Sequence, residues 1–235
     1  MQSSLSSLST RDISTHGRVL LAIPIGSCEQ HGPHLPLDTD TRIAMALCLG
    51  LAEASGRVLI APAITIGASG EHDGFAGTLS IGTAALTSVL VEIVRSAHWA
   101  TGVVLVNGHG GNAQAVAAAV ENLRGEQRHV TAWWPPSNDL DGECDFDSHA
   151  GNTETSLMLA IAPHSVRMDL AEVGVVAPLT TIIDKLRLSG VASVSANGIL
   201  GDPRSASAAH GHKLLSHFIK SLVDHVEKES GTWTP

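Results

Sequence analysis

The chain has 235 residues, of which 43% are hydrophobic and 16% are charged, and its formal net charge is −9 with histidines neutral. This length and apolar content suit one globular domain, residues 1–235, with residues 1–14 as a flexible N-terminal segment. The negative charge argues against a surface that follows nucleic-acid phosphates, and the aromatic content of 3% argues against base stacking. We therefore expect no nucleic-acid partner.

Export and membrane signals are missing from the sequence. The first ten residues lack the basic start and apolar segment of a secretory signal, and no run of about 18 uncharged apolar residues follows. The three cysteines share no CxxC spacing, which argues against a disulfide framework. We expect a cytoplasmic protein that does not bind membranes.

Strand and helix patterns alternate along the chain, which predicts an α/β fold. Four apolar runs read as buried strands, at residues 19–25, 58–62, 103–106 and 129–134. Helices are predicted at residues 41–54, 83–100, 113–123, 157–161 and 205–229. Residues 163–195 give no clear pattern.

The loop after the first strand, residues 29–40, carries two histidines and three carboxylates. Glu29 and His31 are two positions apart, so an extended backbone points both side chains to the same side. Asp40 follows a loop that prolines stiffen. Carboxylate and imidazole ligands suit zinc, iron or manganese, and a carboxylate can bridge two ions. The alternative is a polar loop whose histidines bond to backbone groups.

Two further loops follow predicted strands. The glycine-rich loop 67–82 contains Glu71 and His72, which either belong to the site or a subunit contact or act as hydrogen-bonded anchors. In residues 107–112, glycines on both sides of His109 let its ring reach toward the loop after the first strand. We predict that His109 is a metal ligand rather than a helix-capping residue.

The acidic segment 138–147 lacks the spacing of a calcium-binding EF-hand, so we expect a solvated loop. Residues 149–156 come next and open a predicted helix. Glu154 lies near the start of this helix, where its charged form is favoured. It is suited to act as a metal ligand or base, or as a capping carboxylate.

Four of these motifs together resemble the creatininase family of amidohydrolases, over roughly residues 15–165: segment 25–40, the loop with Glu71 and His72, segment 107–112 and segment 149–156. The resemblance implies a three-layer αβα sandwich with a mainly parallel central sheet. It also implies a homo-oligomer, a hexamer or larger, and a site for two divalent ions, which are zinc, iron or manganese.

The resemblance also implies roles for individual residues. Glu29 and His109 would hold one ion, His31 the other, and Asp40 would bridge them. His149 matches the proton donor of the family. Creatininase has a glutamate where this chain has Gly111. We therefore expect Glu154 to complete the second metal site and to take part in catalysis.

Within the family, the loop around Glu71 and segment 149–156 look most like the branch that acts in mycofactocin maturation. That branch trims a radical-modified precursor peptide and releases a dipeptide derived from its C-terminal Val-Tyr. The expected function is therefore metal-dependent peptide hydrolysis with this precursor as substrate. Hydrolysis of a cyclic amide or formamide is the main alternative, and a metal-binding module without catalysis is a minor one.

Overall fold

The computed structural model describes residues 3–136 and 147–233. Its sheet has four strands in the order β2-β1-β3-β4, and every neighbouring pair is parallel. The strands are β1 (Leu20–Ile25), β2 (Val58–Ile60), β3 (Gly102–Asn107) and β4 (Val130–Trp133). Parallel strands are covered on both faces, which is why all four read as apolar runs.

Helices cover both faces of this sheet. The α-helices in the described part of the chain are α1 (Thr10–Thr15), α2 (Thr39–Ser55), α3 (Gly82–Ser96), α4 (Ala113–Gly125), α5 (Asn152–Ile161), α6 (Leu179–Ser189) and α7 (Ala208–Ser230). On one face Ala22 and Val104 pack with buried residues of α2, α5 and α7. On the other face Ile23 and Leu105 pack with buried residues of α3 and α4. The predicted three-layer αβα sandwich is confirmed.

The structure differs from the sequence prediction most clearly in α5 and α6. Helix α5 begins at Asn152, five positions before the predicted start at Leu157. Helix α6 lies in the segment that gave no clear pattern, and Leu186 is its one deeply buried residue. A short helix that buries so little has only a weak apolar periodicity.

Residues 3–15 form regular structure where the sequence predicted a flexible segment. The N–H of Ile60 donates to the Ser3 carbonyl oxygen at 2.7 Å, which attaches this segment to β2. Leu5, Leu8 and Ile13 pack against the core on the side of α3 and α4. These three apolar side chains are spread among serines and threonines, so they give little signal in the sequence.

The strand order places the loops after β1 and β3 side by side. The chain runs from β1 to β2 on one side and then returns to β3 on the other side of β1. Open α/β sheets bind ligands at such a reversal, outside the carboxyl ends of the strands. Across the described residues, every helix is too short or too polar to cross a membrane.

Candidate metal centre

Four predicted ligands come together at the carboxyl ends of β1 and β3. Glu29, His31, Asp40 and His109 are all buried. Nε2 of His31 lies 3.1 Å from Oδ1 of Asp40, and Nδ1 of His109 lies 3.2 Å from Oδ2 of the same carboxylate. Nε2 of His109 lies 3.1 Å from Oε2 of Glu29. Asp40 therefore stands between the two histidines, with one oxygen toward each.

Backbone contacts and amide side chains hold these ligands in place. The Glu29 N–H donates to the Leu37 carbonyl at 3.0 Å, which closes the loop that leads to Asp40 in the first turn of α2. The Asn107 amide donates to the His109 carbonyl at 2.7 Å. The Asn112 amide donates to the Gly26 carbonyl at 2.9 Å and so joins the loops after β1 and β3. Both asparagines lie in segment 107–112, but their roles were not predicted.

Asp40 is kept ionised by its neighbours. Although burial raises its pKa, the charge of His31 and hydrogen bonds from His109 and His31 outweigh burial and hold the pKa well below its usual range. The hydroxyl of Ser27 also donates to Oδ2 at 2.7 Å. A fully charged, buried carboxylate between two imidazoles is suited to bridge two cations.

His31 presents one particular nitrogen to the carboxylates. Its Nδ1 lies 3.1 Å from the Glu29 carbonyl oxygen, which can only accept, so Nδ1 carries the proton. Nε2 is then directed at Asp40. Burial lowers the pKa of His31, but the charges of Asp40 and Glu154 and a hydrogen bond to Asp40 outweigh this effect and raise it to about 10. Nε2 of His31 therefore lies at a position where the surrounding carboxylates strongly attract a cation.

Glu154 reaches the same site from the first turn of α5. Its Oε2 lies 3.8 Å from Nε2 of His31 and accepts a hydrogen bond from the Ala150 N–H at 2.6 Å. The possible ligand atoms of His31, Asp40 and Glu154 all lie within 4.8 Å of one another. Burial raises the pKa of Glu154 to about 7, against the opposing charge of His31. Glu154 thus anchors the loop before α5 and also faces His31.

His149 lies between the loop after β1 and the loop that carries His72. Its Nε2 lies 2.8 Å from the Gln30 carbonyl oxygen and 3.0 Å from the side-chain nitrogen of Gln30, and the shorter contact, to an oxygen that can only accept, favours the proton on Nε2. Nδ1 then faces Oε1 of Glu29 at 3.8 Å. Burial and the neighbouring His31 and His72 hold the pKa of His149 well below its usual range, which leaves the ring neutral.

The structure places Glu71 and His72 in the site, which the sequence left undecided. Oε1 of Glu71 lies 3.3 Å from Nε2 of His109. Nε2 of His72 lies 3.3 Å from Oε1 of Glu29. Burial lowers the pKa of His72 to about 4. The surrounding glycines hid this placement, because they give no periodic pattern that would orient the two side chains.

Gln30 is a site residue that the sequence analysis missed. Its side-chain nitrogen lies 2.9 Å from Nδ1 of His72 and donates to the Gly198 carbonyl at 3.0 Å. Its side-chain oxygen accepts from the Gly32 N–H at 2.9 Å. Gln30 thus fixes the ring of His72 from the loop that supplies two ligands. Its partner Gly198 follows the segment without a clear pattern, so nothing in the sequence indicated this contact.

The acidic segment falls largely outside the described residues, which include only Asp147 of it. The Asp147 carboxylate accepts backbone hydrogen bonds from Asn152 and from Thr153, the latter at 3.1 Å. It therefore stabilises the start of α5. Asp147 itself is half-buried, and its carboxylate is used at this helix end, whereas the rest of the segment predicted to be a solvated loop lies outside the described residues.

Glu29 provides a test of whether these residues fit metal ions. Its side chain is fully buried, and neither of its oxygens accepts a hydrogen bond within the described residues. The nearest possible donors are Nε2 of His109 at 3.1 Å and Nε2 of His72 at 3.3 Å, and a buried carboxylate with so few hydrogen bonds is costly unless a cation compensates it. The ligand atoms of Glu29, Asp40 and His109 also lie within 4.8 Å of one another. Carboxylate and imidazole ligands suit zinc, iron or manganese, so these residues fit divalent ions of that type.

Two large cavities open onto this cluster. One has a volume of about 970 Å³ and includes Glu71, His72 and Arg187 in its wall. The other has a volume of about 990 Å³ and includes Trp134 and Val176. Both are also lined by His109, Ser148, Glu154 and Leu179. The buried ligands can therefore be reached from two directions.

Comparison with known proteins gives a family match over nearly the whole chain. Residues 6–226 match the family model Creatininase, which is described as creatinine amidohydrolase. The mycofactocin precursor peptide peptidase of Mycolicibacterium smegmatis is 47% identical over 222 residues, which cover 92% of this chain and 86% of that protein. The protein of the same name from Mycobacterium tuberculosis is 48% identical over 225 residues, with the same two coverages.

Solved structures show the same fold. A mutant creatininase of Zn-Zn type superposes with a TM-score of 0.79 at 25% identity, covering 100% of both chains. Its description gives a zinc pair for that protein, on a backbone arranged like the present one.

Proposed function

Because the chain belongs to the creatininase family, we propose that it is a metal-dependent peptidase that hydrolyses an amide bond of the mycofactocin precursor peptide. The observation that carries the proposal is the position of Asp40, with one oxygen 3.1 Å from His31 and the other 3.2 Å from His109. The names of the relatives at 47% and 48% identity support the choice of substrate.

The proposed centre holds two divalent ions that share Asp40. Glu29 and His109 would hold the first ion, and His31 and Glu154 the second. When bound, such a pair of ions polarises the scissile carbonyl and lowers the pKa of a water molecule. The second set has a carboxylate from Glu154, which supports the expectation that this residue replaces the glutamate missing at Gly111.

In the proposed reaction His149 transfers a proton from the attacking water to the leaving amine. Its Nε2–H is held by the Gln30 carbonyl at 2.8 Å, so the lone pair of Nδ1 is directed toward Glu29 and the space between the ligands. Nδ1 takes up a proton as water attacks the carbonyl and returns it to the nitrogen of the leaving amine. The neutral state of His149 suits it to the first of these steps.

The cavities favour a peptide over a small cyclic amide. Pockets for drug-sized ligands span roughly 300–1,000 Å³, and each cavity here lies at the upper end of that range. The two cavities share Ser148 and Glu154, so one chain can extend to both sides of a bond at the metal centre. We propose that the released fragment is the C-terminal dipeptide derived from Val-Tyr.

The second candidate is hydrolysis of a cyclic amide, which the description of the family model favours. One experiment separates the two. The metal-loaded protein is incubated with the radical-modified precursor peptide and, in parallel, with creatinine, and the products are identified by mass spectrometry. We expect a dipeptide and a shortened precursor that do not form after chelation. Conversion of creatinine with an intact peptide would overturn the proposal.

A further inference from the structure

The carboxylate of Glu71 fills the space beside Gly111. A Cβ atom at position 111 would lie 2.1 Å from Oε1 of Glu71, 2.4 Å from Nε2 of His109 and 2.5 Å from the Ala68 carbonyl oxygen. Gly111 is not among the glycines with a left-handed backbone, so torsion angles do not require glycine here. The lack of a side chain at this position is what admits the Glu71 carboxylate.

Glu71 approaches the metal centre on the side of His109. The Nε2 atom of His109 lies 3.3 Å from Oε1 of Glu71 and 3.1 Å from Oε2 of Glu29. Ligand atoms about 2.0–2.2 Å from one tetrahedral ion are separated by about 3.3–3.6 Å, so this spacing fits a shared cation. The ligand atoms of Glu29, Glu71 and His72 also lie within 4.8 Å of one another.

The carboxylate of Glu29 converges on the same point. Neither of its buried oxygens accepts a hydrogen bond in the described part of the chain, although Nε2 of His109 and Nε2 of His72 lie 3.1 Å and 3.3 Å from them. Oε2 of Glu29 faces the same nitrogen that Glu71 contacts. Two carboxylates that converge on one imidazole nitrogen supply the negative charge that a bound divalent cation would offset.

The turn that carries Glu71 is held from both sides. The His72 N–H donates to the Ser69 carbonyl at 3.0 Å, and the Ser69 N–H donates to Oγ of Ser80 at 2.9 Å. His72 itself lies against Glu29 and Gln30, at 3.3 Å and 2.9 Å. Glu71 is therefore presented by a fixed turn, while 31% of its side chain stays exposed to the cavity.

We propose that Glu71 is a further ligand of the ion held by Glu29 and His109, a divalent cation of the zinc, iron or manganese type. It coordinates from the side that Gly111 leaves open and that faces the cavity. The inference rests on the proposed two-ion centre and adds a ligand that the sequence motifs did not assign.

The test is metal binding by the apo-protein, measured by calorimetric titration with zinc. Glu71→Gln keeps the size of the side chain and removes its charge, and Asp73→Asn removes an exposed carboxylate of the same segment as the matched control. We expect Glu71→Gln to lower the affinity for one of the two ions at least about 10-fold, because mutating even the hydrogen-bonding partners of metal ligands lowers metal affinity by that much. The control should bind both ions as the wild type does.

A second measurement guards against misfolding as the explanation. Glu71→Gln and Asp73→Asn should both keep the fold of the wild-type apo-protein, so that a weakened ion in Glu71→Gln alone reflects the lost carboxylate charge. Circular dichroism of each apo-protein verifies the fold.

The proposal would be overturned if Glu71→Gln bound two zinc ions with the affinities of the wild type, even if its turnover fell. Failure of the wild type to cleave the precursor peptide, with zinc binding as expected, would refute the proposed function and leave the role of Glu71 standing.

Discussion

Oε2 of Glu154 lies 3.8 Å from Nε2 of His31, although His31 stands in the loop after β1 and Glu154 in the first turn of α5. The same oxygen accepts a hydrogen bond from the Ala150 N–H. Glu154→Gln keeps an oxygen for this bond but removes the charge that faces His31. We expect the variant to weaken the second ion and to cut hydrolysis of the modified peptide while the melting temperature of the apo-protein changes little.

Glu154→Ala serves as the comparison for that variant. It removes the hydrogen bond as well, which should cost a further 0.5–2 kcal/mol or so of stability, the usual value of a lost cap. If zinc titration of Glu154→Gln gives the wild-type number of ions and affinities, Glu154 acts only as a loop anchor.

Asp40→Ala should abolish activity and remove most of the bound metal, because one carboxylate serves both ions. The control is Asp38→Ala, two positions earlier, which breaks a half-exposed pair with Arg42 at 2.8 Å. Such pairs contribute roughly 0–1 kcal/mol, so the control should keep its metal. Elemental analysis of the two purified variants measures their metal content. An Asp40→Ala protein that retained both ions would rule out the bridging role.

His149→Ala is expected to keep both ions and to lower turnover by roughly 10²–10⁴-fold, the range for a group that transfers protons. His149 also lies in a possible ligand set with Glu29 and His31, so the metal content is informative. Exposed His212 on α7 supplies the control, His212→Ala, with unchanged turnover and metal. Loss of an ion from His149→Ala would make this residue a ligand, and unchanged turnover would remove it from the mechanism.

Gly211→Ala tests how α5 is held in place by α7. A Cβ atom at position 211 would lie 1.8 Å from the Ser156 carbonyl oxygen of α5. We expect the strain to outweigh the better helix propensity of alanine and to cost about 1–3 kcal/mol, seen as a lower melting temperature. Gly125→Ala in α4 meets no atom within 4 Å and should be neutral or slightly stabilising. Equal melting temperatures for the two variants would contradict the close packing of α5 and α7.

The sequence predicted the fold and most of the site because these features are encoded locally. Glu29, His31 and His109 each follow an apolar strand, so a parallel sheet brings them to one edge. The positions of Gln30 and Glu71 depend on contacts between loops of irregular backbone. No periodic pattern in the sequence predicts such contacts. The contact of the Asp147 carboxylate with the start of α5 was not predicted, because a run of acidic residues gives no pattern that would single out this one.

Several expectations from the sequence stay predictions. They include the roles of the individual site residues, the cytoplasmic location, the assembly into a hexamer or larger homo-oligomer, and the identity of the metal. The last depends on fine differences in affinity, since imidazole and carboxylate ligands accept several divalent ions.

The central claim is that one shared carboxylate, Asp40, joins two metal sites in each chain. The most direct measurement is equilibrium titration of the wild-type apo-protein with zinc, with the number of bound ions per chain as the readout. The account predicts about two ions per chain, as expected for a binuclear hydrolytic centre. Saturation at a single ion, or no binding tight enough to measure, would contradict it.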